Sequence, residues 1–343
     1  MTIDLESIKI HIQDFFDENT LTIVGSGLSV AEGLPSMSDL AQKLIEEMPK
    51  IIESTDKLKW TEIENLLKQD FDLESTLQLI FPNASIEEKM KQITSDFIRE
   101  KEKQVLSSII NKNKILKFYD YITRFNLANN YINIITTNYD RLIEYACECN
   151  NIRVDTLFVG QFMSYFSPEE SKYTFCKGIN NRRKRPIYSP HIRLFKPHGS
   201  LSWYKINENI YSIPQHNGND CLIITPGSNK YEKGYNCPFD THREKANKAI
   251  DEATKYVIIG YGFNDSHLEQ HLIVQLKQKP SLVLTYSLTE NAKKILAQSE
   301  KMMAITYDKV DSKSGSRITT YNENYFIPDI NLWDIQELVK ELF

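Results

Sequence analysis

The chain has 343 residues and is 41% apolar, long enough to bury a core of normal depth without covalent staples. Its 41 Lys and Arg against 46 Asp and Glu give a formal net charge of -5, and the two signs are interspersed, which argues against strong direct nucleic-acid binding. Five cysteines without a CxxC pair read as reduced, mostly buried thiols, and the lack of a signal-peptide pattern or a long apolar run predicts a cytoplasmic protein with no membrane segment.

Leu5, Ile8, Ile12, Phe15 and Phe16 recur at helical spacing, so the chain should open with an amphipathic helix that ends near Asp17 to Thr20. A strand follows at Leu21 to Gly25, and Gly25, Gly27 and Gly33 punctuate the turn beyond it. From about Ser38 the text turns rich in Leu, Ile, Lys and Glu at helical spacing, with Pro49 and Pro82 as its interruptions; residues 39–130 read as a helical insertion. Strand signals return at YINIITTN (131–138), HIRLFKPHGS (191–200), DCLIITPGS (220–228), KYVIIGYGFND (255–265) and SLVLTYS (281–287). The basic run Asn181 to Pro186 reads as a solvated loop.

Helical patterns follow three of these strands, and a closing helix is expected over 330–343. Strand alternating with helix predicts an α/β protein: a Rossmann-like, doubly wound, mostly parallel sheet with a helical insertion, the whole of 1–343 forming a single nucleotide-binding domain. In such sheets ligands bind outside the carboxyl ends of the strands, where the polar tails of these runs must converge.

Five tails could carry chemistry. The GxG turn at Gly25 and Gly27 can bring backbone N–H groups close to a pyrophosphate, but GxGxxG spacing is absent, and taken alone the glycines favour a plain strand-to-helix turn. At Thr136 to Arg141, four polar side chains crowd the end of an apolar strand; Asn138 or Asp140 either meets a ligand or caps the next helix. His198, between Pro197 and Gly199, is suited to proton exchange near neutrality. GYGFND and TYS close two further strands and could contact phosphates, ribose or base, or form ordinary turns. His267 and His271 stand i, i+4 on a helix without a third ligand pattern and read as packing or surface residues.

The order of these motifs resembles the sirtuins, most closely the bacterial sirtuin-like proteins of antiphage defence of the Sir2-HerA type. GSGLS, GLP, TTNYD, HGS, GYG and TYS stand where that family carries its glycine loop, GIP segment, T-x-N-x-D strand end, HG histidine, phosphate strand end and adenosine strand end. The resemblance implies NAD as substrate, with Gly25, Ser26, Gly27 and Ser29 lining its phosphates. It also implies Asn138 at the nicotinamide ribose or an attacking water, Asp140 at the carboxamide and His198 as base. Gly260 and Gly262 would flank phosphate and ribose, with Tyr286 and Ser287 near the adenosine; Pro35, Thr137 and Tyr261 complete the cofactor-binding positions. Two departures stand out. Ser36, Met37 and Ser38 replace the Asp-Phe-Arg of deacetylating sirtuins, and the cysteines cannot build their structural zinc module.

The resemblance therefore implies an NAD+ glycohydrolase that uses water as acceptor, acting in antiphage defence as a homo-oligomer with a separately encoded HerA-type ATPase, since no Walker motif is present. A protein deacylase and a non-catalytic NAD or ADP-ribose sensor are the rival expectations. A plain dehydrogenase is disfavoured by the missing fingerprint.

Overall fold

The computed structural model describes residues 5–69, 71–127, 131–180, 182, 185–226 and 236–343. An opening helix α1 (Leu5–Gln13) leads into strand β1 (Thr20–Val24) and a six-residue helix α2 (Ser26–Ala31). Helices α3 (Met37–Ile51), α4 (Lys57–Leu67), α5 (Leu73–Leu79), α6 (Ala84–Ile110) and α7 (Phe118–Ile122) follow before β2 (Tyr131–Thr136) and α8 (Leu142–Cys149). The middle of the chain supplies β3 (Arg153–Asp155), β4 (Phe158–Val159), β5 (Ser164–Phe166), α9 (Pro168–Thr174), β6 (Cys176–Asn180), β7 (Arg185–Tyr188), β8 (His191–Phe195), β9 (Trp203–Ile206) and β10 (Asn209–Ser212). The last third contributes α10 (Phe239–Glu252), β11 (Lys255–Ile259), α11 (Ser266–Leu276), β12 (Ser281–Thr285) and α12 (Glu290–Leu296). It ends in β13 (Met302–Val310), β14 (Lys313–Thr319), β15 (Asn324–Pro328) and α13 (Ile335–Leu342).

The main sheet has nine strands in the order β15-β14-β13-β12-β11-β1-β2-β8-β3. From β13 through β3 every pairing is parallel. β1 therefore sits at the centre, with the chain winding outward to one side through β2 and β8 and to the other through β11, β12 and β13. That is the order of a doubly wound dinucleotide fold, whose direction reverses between β1 and β11. Consecutive side chains of the central strands serve opposite cores: Val24, Val257, Ile259 and Leu284 pack with α1, α7, α8 and α13, whereas Ile23, Ile258 and Val283 pack with α10, α11 and α12. Burial on both faces is why these strands read as unbroken apolar runs.

The helical block divides in two. Its first part encloses its own cluster around Leu44, Met48, Trp60, Ile63 and Met90. The rest joins the sheet's core through Val105, Phe118 and Tyr121. Pro49 does not interrupt a helix: it lies in the last turn of α3, where it forfeits the bond to the Ile45 carbonyl but only two helical residues follow it. Pro82 does fall in a break, between α5 and α6.

Four further expectations are corrected. DCLIITPGS forms no strand over its described residues; Ile223 makes an isolated bridge to Gly199, because its neighbours' backbone groups bond the 198–203 turn instead: Ser200 N to Leu222 O, Leu222 N to Trp203 O and Ile224 N to His198 O. Gly227 and Ser228 lie outside the described residues. The cysteines are all unpaired, but Cys147 and Cys221 alone are buried while Cys149 and Cys237 are exposed. The closing helix starts at Ile335, capped by Asp334, later than 330. Of the basic run, Arg182 is exposed, Arg185 and Pro186 begin β7, and Asn181, Arg183 and Lys184 lie outside the described residues. Among the described residues, no helix is long and apolar enough to cross a membrane.

Candidate active site at the carboxyl ends of the central strands

The turn after β1 is built by close approach of two loops. Gly25 N donates to Ile259 O and Gly27 N to Gly260 O, both at 2.9 Å. A Cβ on Gly25 would lie 2.5 Å from Gly260 O, and one on Gly27 would lie 2.7 Å from Gly260 Cα. Gly260 itself has φ +59. These glycines are thus required first by the contact between the β1 and β11 loops, before any ligand is considered. Gly33, at φ +98, turns the chain out of α2 toward Leu34 and Pro35.

At the end of β2, Asn138 donates its side-chain amide to Gly25 O at 3.0 Å and to Ser29 Oγ at 2.8 Å. Ser29 Oγ in turn donates to Asp140 Oδ2 at 2.7 Å, and Asp140 Oδ1 accepts from Leu142 N at 3.1 Å. The capping and ligand readings of this stretch divide between the two residues: Asp140 takes an N–H of the first turn of α8, while Asn138 reaches the glycine loop. With both amide hydrogens committed, Asn138 has its carbonyl oxygen to offer a ligand. Asp140 is fully buried, and desolvation pushes its carboxyl up to about 6, against the nearby charge of Lys196. Lys196 is itself buried; its ammonium donates to Asp140 O and lies 2.9 Å from Glu144 Oε1.

His198 stands one turn beyond β8. The following Gly199 has φ +86, and a Cβ there would strike Leu222 O at 2.1 Å, so glycine alone permits this turn. His198 Nε2 lies 2.6 Å from Asp265 Oδ2, on the loop after β11.

These groups open on two cavities. The first, about 190 Å³, is lined by Ser29, Asn138, Asp140, His198 and Asp265, with Pro35, Thr137, Tyr261 and Gly262 on its walls. The second, about 390 Å³, is lined by Gly27, Gly260, Tyr286 and Ser287 on one side and by Trp333 and Asp334 on the other. Ser26, Ser36 and Met37 border both. Tyr286 is exposed and stacks on Tyr307 with ring centroids 4.9 Å apart, edge-on to Trp333. Gly25 lines neither cavity; its place is behind the loop.

Several contributors were not assigned from the sequence. Leu40, Glu74 and Ile98 bring the helical block onto the first cavity. Glu102 of α6, buried, accepts from Arg141 N at 2.6 Å and from Arg141 Nε at 3.1 Å. Arg99, one turn away, donates to Leu201 O and Tyr204 OH. Charged residues inside an otherwise amphipathic helix were the available signal for both. Ser36 caps α3 through a reciprocal pair with Asp39, so the chain turns into a helix where the resemblance would have Asp-Phe-Arg. His271 is half exposed and faces Asp251 at 3.6 Å; nothing is described for the His267 side chain. Among the described residues, no three His, Cys, Asp or Glu are grouped to hold a metal.

A doubly wound sheet with its reversal at β1 and β11, and two cavities lined by the loops at that reversal, defines a Rossmann-like α/β protein with its clefts at the switch point. The SIR2-like domain model matches residues 132–309, more than half of the chain, and the chain belongs to that family. Among solved structures it is similar to a Sir2 enzyme bound to a propionylated peptide, at 10% identity over 99% of this chain and 97% of that one, with a TM-score of 0.43. A structure on the mechanism and regulation of Sir2 enzymes matches at 9% identity over 88% and 92%, TM-score 0.41. A Sir2 complex with a p53 peptide and NAD+ matches at 11% identity over 99% and 97%, TM-score 0.37. No curated protein sequence matches the chain.

Proposed function

We propose that this protein hydrolyses NAD+ at the bond between nicotinamide and ribose, releasing nicotinamide and ADP-ribose. The observation that carries the reading is the convergence of Asn138 and His198, from the ends of different strands, on one cavity that adjoins a larger chamber across Ser26, Ser36 and Met37. Two cavities that share Ser26, Ser36 and Met37 on their walls suit a molecule made of two nucleosides and a pyrophosphate. The nicotinamide riboside half would occupy the first, and the adenosine half the second, beside Tyr286, Ser287 and Trp333.

Breaking this bond develops positive charge at the ribose carbon while the pyridinium nitrogen recovers its lone pair, so the leaving group needs no proton. The chain must orient the ribose, tolerate the charge and supply a base. Asn138, through its carbonyl oxygen, accepts a hydrogen from the water or ribose hydroxyl. His198 removes the proton, a role worth about 10²- to 10⁴-fold in rate. Asp140 acts from beneath, holding Ser29 and through it Asn138; its carboxylate also supplies a wall of the cavity, where the carboxamide can donate to it. Leu40, Glu74 and Ile98 line the cavity as well; what supports water over an acyl-lysine as acceptor is the Ser36-Met37-Ser38 departure and the lack of cysteines for a zinc module.

The test is NAD+ turnover by the purified protein and by its Asn138→Ala and His198→Ala variants, followed as released nicotinamide. Loss of turnover in both supports the assignment, and turnover surviving both refutes it. Stoichiometric release of a deacylated peptide would replace hydrolysis with deacylation. Tight ADP-ribose binding without turnover, even with a partner, would make the protein a sensor.

An enzyme that destroys NAD must be held silent until needed, and we extend the reading to an effector of antiphage defence, assembled as a homo-oligomer and working in the cytoplasm with a separate HerA-type ATPase. Light scattering of the chain alone and with such an ATPase tests this. A monodisperse monomer in both cases removes it.

A further inference from the structure

We infer that Asp265 is a positioning residue for His198, fixing the proton on Nε2 so that Nδ1 is the basic ring nitrogen. The inference rests on the reading of His198 as the base. Its observation is the 2.6 Å contact between His198 Nε2 and Asp265 Oδ2, both side chains largely buried at 15% and 7% exposure. A carboxylate accepts and does not donate, so the nitrogen facing it carries hydrogen and the other carries the lone pair.

The contact is not a by-product of neighbouring chain. β8, which bears His198, and β11, which bears Asp265, are separated in the sheet by β2 and β1. The two loops therefore reach over the ends of the two central strands to meet. The Asp265 side is also held rigidly. Its own N–H donates to Glu269 Oε1 at 2.7 Å, and Asn291 donates to Phe263 O and Asn264 Oδ1, both at 3.0 Å. Phe263 is fully buried at φ +55, a left-handed conformation that a bulky side chain adopts only when its surroundings enforce it.

The proton path balances simply. Nδ1 takes a proton from the ribose hydroxyl or water, and the resulting imidazolium is stabilised across the ring by the Asp265 carboxylate. Asp265 keeps its charge throughout. The other titratable groups facing this pair are Glu74 from α5, Tyr139 and Asp140 from the β2 loop, and Tyr261 and Glu269 around the Asp265 loop.

Asp265→Asn, which preserves shape but can present an N–H to the ring, should lower kcat for NAD+ by about 10²- to 10⁴-fold while KM stays within about threefold. The acid limb of the pH–rate profile should move to lower pH, because the imidazolium loses its counter-charge. Asp265→Glu should recover part of the rate. In parallel, nitrogen NMR of the imidazole in the wild type should show the Nε2-H tautomer for the His198 signal, identified by its loss in His198→Ala. Wild-type kcat and acid limb in Asp265→Asn, or an Nδ1-H tautomer in the wild type, would overturn the inference. A wild type that leaves NAD+ intact even with a HerA-type ATPase present, yet shows the Nε2-H tautomer, would refute the proposed hydrolysis and leave the pairing standing.

Discussion

Replacing Asp140 by Asn removes a carboxylate that the fold holds at a disadvantage, and the size of that disadvantage can be worked out. Burial raises the group from its ordinary 3.8 to about 6; at 1.36 kcal/mol per pH unit, its ionised form disfavours the native state by roughly 3 kcal/mol. Because the folded value is the higher one, the native state is favoured fully below about 3.8 and loses that contribution as pH rises through about 6. The Asn variant has nothing to titrate here. Its changed bonds to Ser29 and Leu142 add an offset that does not depend on pH. The stability of Asp140→Asn relative to wild type, from urea unfolding followed by circular dichroism, should therefore improve by about 2 kcal/mol between pH 4.5 and 7.5. Taking the difference cancels every other group that titrates in that range. A relative stability constant across the interval would show that Asp140 is not desolvated as described, and the account of the Asn138–Ser29–Asp140 chain would fall with it.

Two further substitutions test the supports of the site. Gly27→Ala drives a methyl into the backbone of Gly260 and should destabilise the protein by about 1–3 kcal/mol, read as a shift in the urea midpoint; an unchanged midpoint would mean that the two loops have room between them. Glu102→Ala leaves the Arg141 guanidinium and N–H without their carboxylate and should cost about 3 kcal/mol, measured in the same way. A cost below about 0.5 kcal/mol would place the pair with surface ion pairs.

The sheet was legible because its strands are buried on both faces and each ends in punctuation: LTIVG, INIITT and VIIG have no other way to be satisfied in water. What escaped was whatever depends on partners distant in sequence. DCLIIT has a strand's composition, yet its backbone bonds are taken by the turn around His198, a competition no local pattern reveals. The antiparallel pairings β13-β14 and β14-β15 went unassigned because SGSRITT and NYFIP alternate weakly. In the site, Asn138, Asp140 and His198 could be picked out by their places at strand ends. Asp265 was visible in GYGFND without a role, since its partner stands 67 positions earlier and on a strand three places away. Trp333 and Asp334 gave no signal, being ordinary residues before a helix until the fold sets them against the ends of β11 and β12.

The central position of β1 has a consequence for how this protein comes to life on the ribosome. The cavity walls are drawn from Ser26 near the start, Asn138 and His198 in the middle, and Asp265 well beyond, while the second chamber waits for Trp333. β1 finds its neighbour β11 only after more than two hundred further residues have been made. A nascent or truncated chain thus lacks one wall of the site however well its first half folds. A chain cut short of β11 cannot assemble the first cavity, and one cut short of Trp333 cannot assemble the second.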